Sequence, residues 1–197
     1  MKKLHLLLLP AAILALVFGL VACGGSDESD EDKIVETIET SATSTDPAVC
    51  EETQTLAFIE QTTGSSGKEA KKQCEEDAKD GENQPDSVTV SEVEVDGESA
   101  TANAEFKGGN LDAQTLEVAL VEENGNWKLD ELIGFAGFDA DSLVKAFAEQ
   151  IEEEPEVDKE TAECFVEGIE GLSDPELESV VIENNTEVFG PIAEGCE

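Results

Sequence analysis

The sequence predicts an α+β protein in which helices come first, a four-stranded antiparallel sheet follows, and a second group of helices ends the chain. Three observations carry this prediction. The spacing of apolar residues changes from a helical period to a period of two near residue 87, and it becomes helical again near residue 139. Asp96-Gly97 and Asn124-Gly125 are dipeptides typical of tight hairpin turns. Four cysteines lie in the helical parts, two before the strands and two after them.

The first 22 residues have the layout of an export signal. Lys2 and Lys3 form a short positive region, and residues 4–20 form an apolar run that is interrupted at only three positions. A helix that spans a bilayer needs about 20 apolar residues, and acidic residues follow this run within a few positions. The segment is therefore predicted to be a signal peptide, residues 1–22, and not a membrane span.

Residues 20–23, Leu-Val-Ala-Cys, resemble the lipobox of bacterial lipoproteins. The resemblance implies that a diacylglycerol is attached to the thiol of Cys23, which becomes the new N-terminus, and that the protein is anchored to the cell membrane on its extracytoplasmic side. Two or more acyl chains hold a protein stably on a bilayer. Residues 23–31 then form an acidic tether. The alternative is an ordinary secretory signal with a chance cysteine.

The other four cysteines are expected to form disulfides, because export places an even number of them in an oxidising compartment. Four cysteines allow three pairings, and sequence alone does not choose among them. Local spacing favours Cys50 with Cys74 and Cys164 with Cys196. A zinc site is the alternative, but the chain has no CxxC and its only histidine lies in the signal peptide. No EF-hand loop is present either, so no metal site is predicted.

Three helices are predicted before the strands. The first covers about residues 31–44, where apolar residues recur at helical spacing behind an acidic first turn. Asp46-Pro47, a helix cap followed by proline, opens a second helix that runs to about Gln61. A short third helix covers residues 68–78, and a polar turn segment follows it.

Four strands are predicted next, in two hairpins. They cover residues 88–95, 100–106, 116–122 and 127–133. The alternation of the first strand changes phase at Ser91-Glu92, which indicates a bulge or a bend. The second strand has an apolar, mostly small inner face. An antiparallel layer of this kind needs cover on one face, which the helices can provide.

The order of these elements, together with the segments VEVDGESATANAEF and VALVEENGNWKLDEL, resembles the cone fold of the nuclear-transport-factor-2-like, or SnoaL-like, superfamily. It is most similar to the secreted actinobacterial branch that has a cysteine in the second helix. The resemblance covers residues 32–138 and implies helices packed on a bent antiparallel sheet around a pocket. Some members with this fold are enzymes and many are not. The chain has no Tyr, so the Asp-and-Tyr chemistry of ketosteroid-isomerase-like members does not carry over.

Residues 139–197 are predicted to form a small helical unit bracketed by Cys164 and Cys196. Apolar residues fall at helical spacing in three places, and Ser173-Asp174-Pro175-Glu176 has the pattern of a helix cap with an early proline. The sequence does not indicate whether this unit packs on the cone.

Composition excludes several classes of function. The chain has 48 Asp and Glu, 11 Lys and no Arg, which gives a formal net charge of −37, and loss of Lys2 and Lys3 with the signal peptide makes it −39. Ordinary nucleic-acid binding is excluded because it needs Lys and Arg to neutralise phosphates. Catalytic Ser-His-Asp and Cys-His arrangements are excluded because no histidine follows residue 22. We interpret the charge as a solvated acidic surface suited to high salt or to a cell surface, with a dedicated cationic partner as the alternative.

The expected function is therefore binding without catalysis and without a cofactor. The ligand would be a small apolar molecule or a protein partner, held by the membrane-anchored domain. A hydrolase or isomerase built from carboxylates in the cone is one alternative, and a purely structural envelope protein is another. Small side chains on the second strand leave room for a cavity, although they equally allow a helix to approach the sheet. The predicted pocket residues are Phe58, Ala100, Ala102, Ala104, Phe106, Leu116, Val118, Leu120 and Trp127.

Overall fold

A computed structural model describes residues 29–81, 83–153 and 157–196 of the chain. The predicted signal peptide, the lipidation site Cys23 and most of the predicted tether lie outside the described residues. Within the described part of the chain, no helix combines the length and the apolar character that crossing a membrane requires.

The described chain is α+β, as predicted, with an open antiparallel sheet in the order β1-β2-β3-β4. The helices before the sheet are α1 (Asp30–Thr43), α2 (Val49–Glu52), α3 (Leu56–Thr63) and α4 (Gly67–Asp80). The strands are β1 (Ser87–Asp96), β2 (Ser99–Lys107), β3 (Thr115–Glu123) and β4 (Asn126–Gly137). The helices after it are α5 (Ala140–Glu153), α6 (Lys159–Glu170), α7 (Asp174–Glu183) and α8 (Gly190–Gly195), with short 3-10 turns at Gly109–Leu111 and Thr186–Phe189.

Helix α1 begins inside the segment predicted to be tether. Ser29 caps it through a capping box, in which the Ser29 hydroxyl accepts a hydrogen bond from the Asp32 N–H at 3.1 Å and the Asp32 carboxylate accepts one from the Ser29 N–H at 3.2 Å. The predicted tether, residues 23–31, is therefore too long at its C-terminal end. Within α1, Ile34 and Ile38 are buried against the sheet.

The single helix predicted from Asp46 to Gln61 is two helices, α2 and α3, and this prediction was wrong. Between them the backbone pairs with β4 in place of continuing the helix. The Leu129 N–H donates to the Thr53 carbonyl and the Thr55 N–H donates to the Leu129 carbonyl, both at 2.8 Å. The Thr55 hydroxyl then caps α3 by accepting from the Phe58 N–H at 3.2 Å.

The sheet contains the predicted bulge, and one of its two turns differs from the prediction. The register of β1 against β2 shifts between Ser91 and Glu94, and Glu92 has a φ of 52°. Asn124-Gly125 forms a two-residue loop with positive φ at both residues, as the prediction requires. The first hairpin turns one residue later than predicted, at Gly97-Glu98, because Asp96 stays in β1 and pairs with Ser99.

The helices after the sheet form a unit of their own with a small apolar core. Leu143, Ile169 and Leu177 are almost fully buried at its centre. A disulfide joins Cys164 to Cys196, and a second joins Cys50 in α2 to Cys74 in α4. These are the two pairs that the local spacing favours.

This helical unit packs on the rest of the protein through α7, which contacts α3 and β4, and through α5, which contacts the 3-10 turn at Gly109–Leu111. Two glutamines contribute hydrogen bonds to this junction. The Gln114 side chain is fully buried, and its amide donates to the Asp139 carbonyl at 2.8 Å and accepts from the Asp139 N–H at 3.0 Å. The Gln61 amide likewise joins the Leu132 backbone of β4 to the Ile182 carbonyl of α7.

Replacing Gln114 with alanine is expected to lower the free energy of unfolding by about 2–3 kcal/mol. The change removes the acceptor of the Asp139 N–H and one of the two donors to the Asp139 carbonyl, which keeps the Leu143 N–H at 3.2 Å. It also leaves an unfilled space where a fully buried side chain was. Urea unfolding monitored by circular dichroism measures the loss. The exposed Gln150 of α5 is the control, and Gln150→Ala is expected to be nearly neutral. Equal effects of the two changes would contradict the role of Gln114.

Candidate functional site

A cavity of about 590 Å³ lies between the helices before the sheet and the inner face of the sheet. Its volume is within the range of about 300–1,000 Å³ that small-molecule sites usually have. The floor is apolar and mostly buried, since Ala104, Leu116, Val118 and Leu132 are each at most 5% exposed. Phe58 from α3 and Phe106 from β2 add half-buried aromatic walls.

The predicted pocket residues divide into two groups. Phe58, Ala104, Phe106, Leu116 and Val118 line the cavity. Ala100, Ala102, Leu120 and Trp127 do not, and for these four the prediction was wrong.

The three aliphatic residues outside the cavity lie in the packed core. Ala100, Ala102 and Leu120 are at most 5% exposed and belong to the same apolar cluster as Ile34 and Ile38 of α1. Their place in β2 and β3 agrees with the alternative interpretation, in which small residues let a helix approach the sheet. Of the three alanines on this face of β2, only Ala104, which is closest to the C-terminal end of the strand, lines the cavity.

Trp127 lies at the other side of α1 and belongs to a different surface feature. Its side chain is 2% exposed, and its carbonyl accepts a hydrogen bond from the Thr37 hydroxyl at 3.3 Å. It borders a second, polar groove of about 370 Å³ together with Lys33, Glu36 and Glu52. Trp127 fluorescence is therefore not expected to report on the apolar cavity.

The mouth of the cavity is polar, and sequence analysis did not identify it. Its exposed residues are Asp77, Asp80 and Asn83, with the half-buried Gln84 and Asn110 beside them, and Thr62 of α3 is a further exposed lining residue. One signal was available, because Asp77 follows Cys74 by three residues and therefore lies on the same face of α4 as the disulfide. The Cys50–Cys74 disulfide is itself part of the cavity wall.

The carboxylates at the mouth are not neutralised by neighbouring cations. Partial burial, with smaller contributions from the charges of Asp80 and Glu76, holds the pKa of the Asp77 carboxyl above its usual range. Six lysines form ion pairs with Asp or Glu, but among the described residues none of these pairs includes Asp77 or Asp80. The cavity therefore combines an apolar interior with a negative entrance.

The rim of the mouth is held by contacts of the α4–β1 loop with two other segments of the chain. The Gln84 side chain donates to the Ser44 carbonyl at 2.9 Å, and the Asn110 N–H donates to the Asn83 carbonyl at 3.4 Å. Gly109 lies so close to the facing loop that a Cβ on it would be 2.6 Å from the Asn83 carbonyl oxygen and 2.7 Å from the Gln84 carbonyl carbon. The rim is therefore packed backbone against backbone.

The described residues contain no group of three or more His, Cys, Asp or Glu side chains placed to hold a metal ion. Comparisons of the chain with protein-family models, with curated proteins and with solved structures found no match. The function is therefore argued from the cavity itself.

Gly109→Ala is expected to lower the free energy of unfolding by about 2 kcal/mol or more, because it combines a positive φ with the backbone clash at the rim. Gly97→Ala is the matched control. Gly97 has the same φ of +66° but nothing within 4 Å of its Cβ position, so it carries the conformational strain alone. Urea unfolding of both variants measures the difference. Equal losses of unfolding free energy in the two variants would contradict the close backbone packing at the rim.

Proposed function

We propose that this protein is an extracytoplasmic lipoprotein whose cavity binds a small apolar ligand without catalysing a reaction on it. The observation that carries the proposal is the cavity, which has a buried apolar floor and an exposed mouth in one continuous space. Burial of apolar surface is the main source of affinity in sites of this kind. A filled inner face would instead have favoured a purely structural role.

We also propose that residues 32–138 adopt the cone fold of the nuclear-transport-factor-2-like superfamily. Support comes from the order of elements, with helices before two antiparallel hairpins, and from the bulge that bends β1. In this proposal the cavity corresponds to the pocket that the cone encloses.

Catalysis by carboxylates is the alternative that one observation favours, namely the raised pKa of Asp77. Two features favour binding instead. The Asp77 side chain is exposed at the mouth and not inside the cavity, and no Asp or Glu is among the floor residues. A general acid or base has to reach the reacting group inside a site that excludes water.

The binding proposal is tested with Nile red, an uncharged dye whose emission increases in apolar surroundings. The wild-type domain is expected to bind the dye, and Ala104→Trp is expected to abolish binding because the new ring occupies the cavity next to Leu116. Ala119→Trp is the control, since Ala119 lies in β3 with its side chain on the opposite face of the sheet.

Ala104→Leu is a smaller change and is used if Ala104→Trp does not fold. Circular dichroism verifies that each variant is folded. Folded Ala104 variants that bind the dye as the wild type does would place the site elsewhere. A wild-type protein that does not bind it would refute the binding proposal.

The anchoring part of the proposal is tested separately at Cys23. Cys23→Ser removes the thiol that would carry the lipid, so the protein is expected either to leave the membrane fraction or to accumulate as the unprocessed precursor. Cell fractionation and mass spectrometry of the N-terminus measure this. A wild-type protein that starts at another residue and carries no acyl mass would refute the anchor.

A further inference from the structure

We infer that the cavity takes cationic amphiphiles, molecules with one apolar chain and one ammonium head group. This inference rests on the proposed binding function and names the chemical class of its ligand. The apolar chain would lie on the floor formed by β2, β3 and β4, and the head group would remain at the mouth beside Asp77 and Asp80.

The separation of apolar and charged lining residues supports a ligand with two distinct ends. The floor residues Ala104, Leu116 and Val118 are at most 4% exposed, whereas Asp77 and Asp80 are exposed. An apolar chain gains free energy only where it leaves water, and a charged group loses free energy if it follows the chain into the floor. A ligand that satisfies both conditions has its charge at one end.

The sign of that charge follows from the groups at the mouth. Asp77 and Asp80 are three residues apart in α4 and therefore lie on one side of the helix. The other polar lining residues of the mouth, Asn83, Gln84 and Asn110, are uncharged, and no lysine is among the residues described as lining the cavity. A cationic head group would relieve the repulsion between the two carboxylates, while an anionic head group would add to it.

Local lysines do not supply this neutralisation. Lys71 and Lys72 of α4 pair with Glu51 and Glu76, at 2.8 and 3.1 Å, and so contact other carboxylates. A diffuse attraction from the whole acidic surface also concentrates cations near the protein, so a test has to separate it from the two carboxylates at the mouth.

The test compares three probes with the same apolar chain, namely decyltrimethylammonium, decanol and decanoate. Each is used below its micelle concentration and competes with Nile red on the lipid-free domain at about 0.01 M ionic strength, where the Debye length is about 30 Å. Decyltrimethylammonium is expected to compete best and decanoate worst. The advantage of decyltrimethylammonium over decanol is expected to shrink at about 1 M salt, where the Debye length is about 3 Å.

Two double variants with the same change of net charge locate the effect. The double variant Asp77→Asn with Asp80→Asn is expected to weaken the binding of decyltrimethylammonium about tenfold and to leave the binding of decanol unchanged. The double variant Asp96→Asn with Glu98→Gln changes two exposed carboxylates at the β1–β2 hairpin, at the opposite end of β2 from the cavity. It is expected to change the affinity of neither probe by more than about twofold.

The possible results separate this inference from the proposed function. If decanol competes as well as decyltrimethylammonium does, the cavity binds apolar ligands and the cationic class is wrong. If the cation advantage is lost equally in both double variants, or in neither, it comes from the overall charge, and the assignment to Asp77 and Asp80 is overturned. If Nile red and all three probes fail to bind, both proposals are wrong.

Discussion

Two backbone hydrogen bonds to Leu129 hold the helical layer in its place on the sheet. They use the N–H and C=O of one residue of β4, and they end α2 at Thr53 and start α3 at Thr55. The connection between the two short helices is therefore held at the edge strand of the sheet. Cys50 of α2 is joined to α4, while Gln61 of α3 is joined to β4 and α7. The cavity lies inside this frame, because the helices are fixed at their connections to each other and to one strand.

Local sequence signals were sufficient for most elements but not for this arrangement. The period of the apolar residues and the helix-capping residues identified α1, α4 and the four strands, because these features depend on neighbouring residues alone. The Thr55 cap is a local feature of the break at Thr53–Thr55, but the groups that replace the helical hydrogen bonds belong to a strand more than 70 positions away. Tertiary pairing overrode helix propensity here.

The residues of the candidate site also include some that local sequence patterns identified and others that only the fold reveals. Alternation identified the inner face of β2 correctly, and Ala100, Ala102 and Ala104 are all buried. Alternation cannot indicate which end of that face the helices cover, so it did not separate the packed Ala100 from Ala104 at the cavity. Trp127 also has the alternation of an inward residue, but it lies beside α1 and borders the second groove. The mouth residues Asp77 and Asp80 could be placed on one side of α4, but only the fold shows that this side meets a cavity.

A strongly acidic chain has few cations with which to satisfy buried polar groups, and the fold uses amides in their place. Gln114 and Gln61 each donate and accept at backbone groups where the helical unit meets the sheet, and they do so without adding charge. An Asp or Glu at the same position could accept but, when ionised, could not donate. Four of the six ion pairs among the described residues lie at helical i to i+3 or i to i+4 positions on exposed surfaces, where such pairs contribute little to stability. Each disulfide lies within one part of the protein, Cys50–Cys74 among the helices before the sheet and Cys164–Cys196 in the helical unit, whereas Gln114 and Gln61 connect that unit to the sheet.

The same distribution leaves the carboxylates around α4 differently paired. Lys71 and Lys72 pair with Glu51 and Glu76. On the side that borders the cavity, the carboxylates Asp77 and Asp80 share the mouth with uncharged amides. Lys79 is two residues from Asp77 and adjacent to Asp80, so the helical turn directs it away from their common side. The contacts of Gly109 and Gln84 fix the loop that follows α4, so the fold sets the backbone positions from which these two carboxylates reach the mouth.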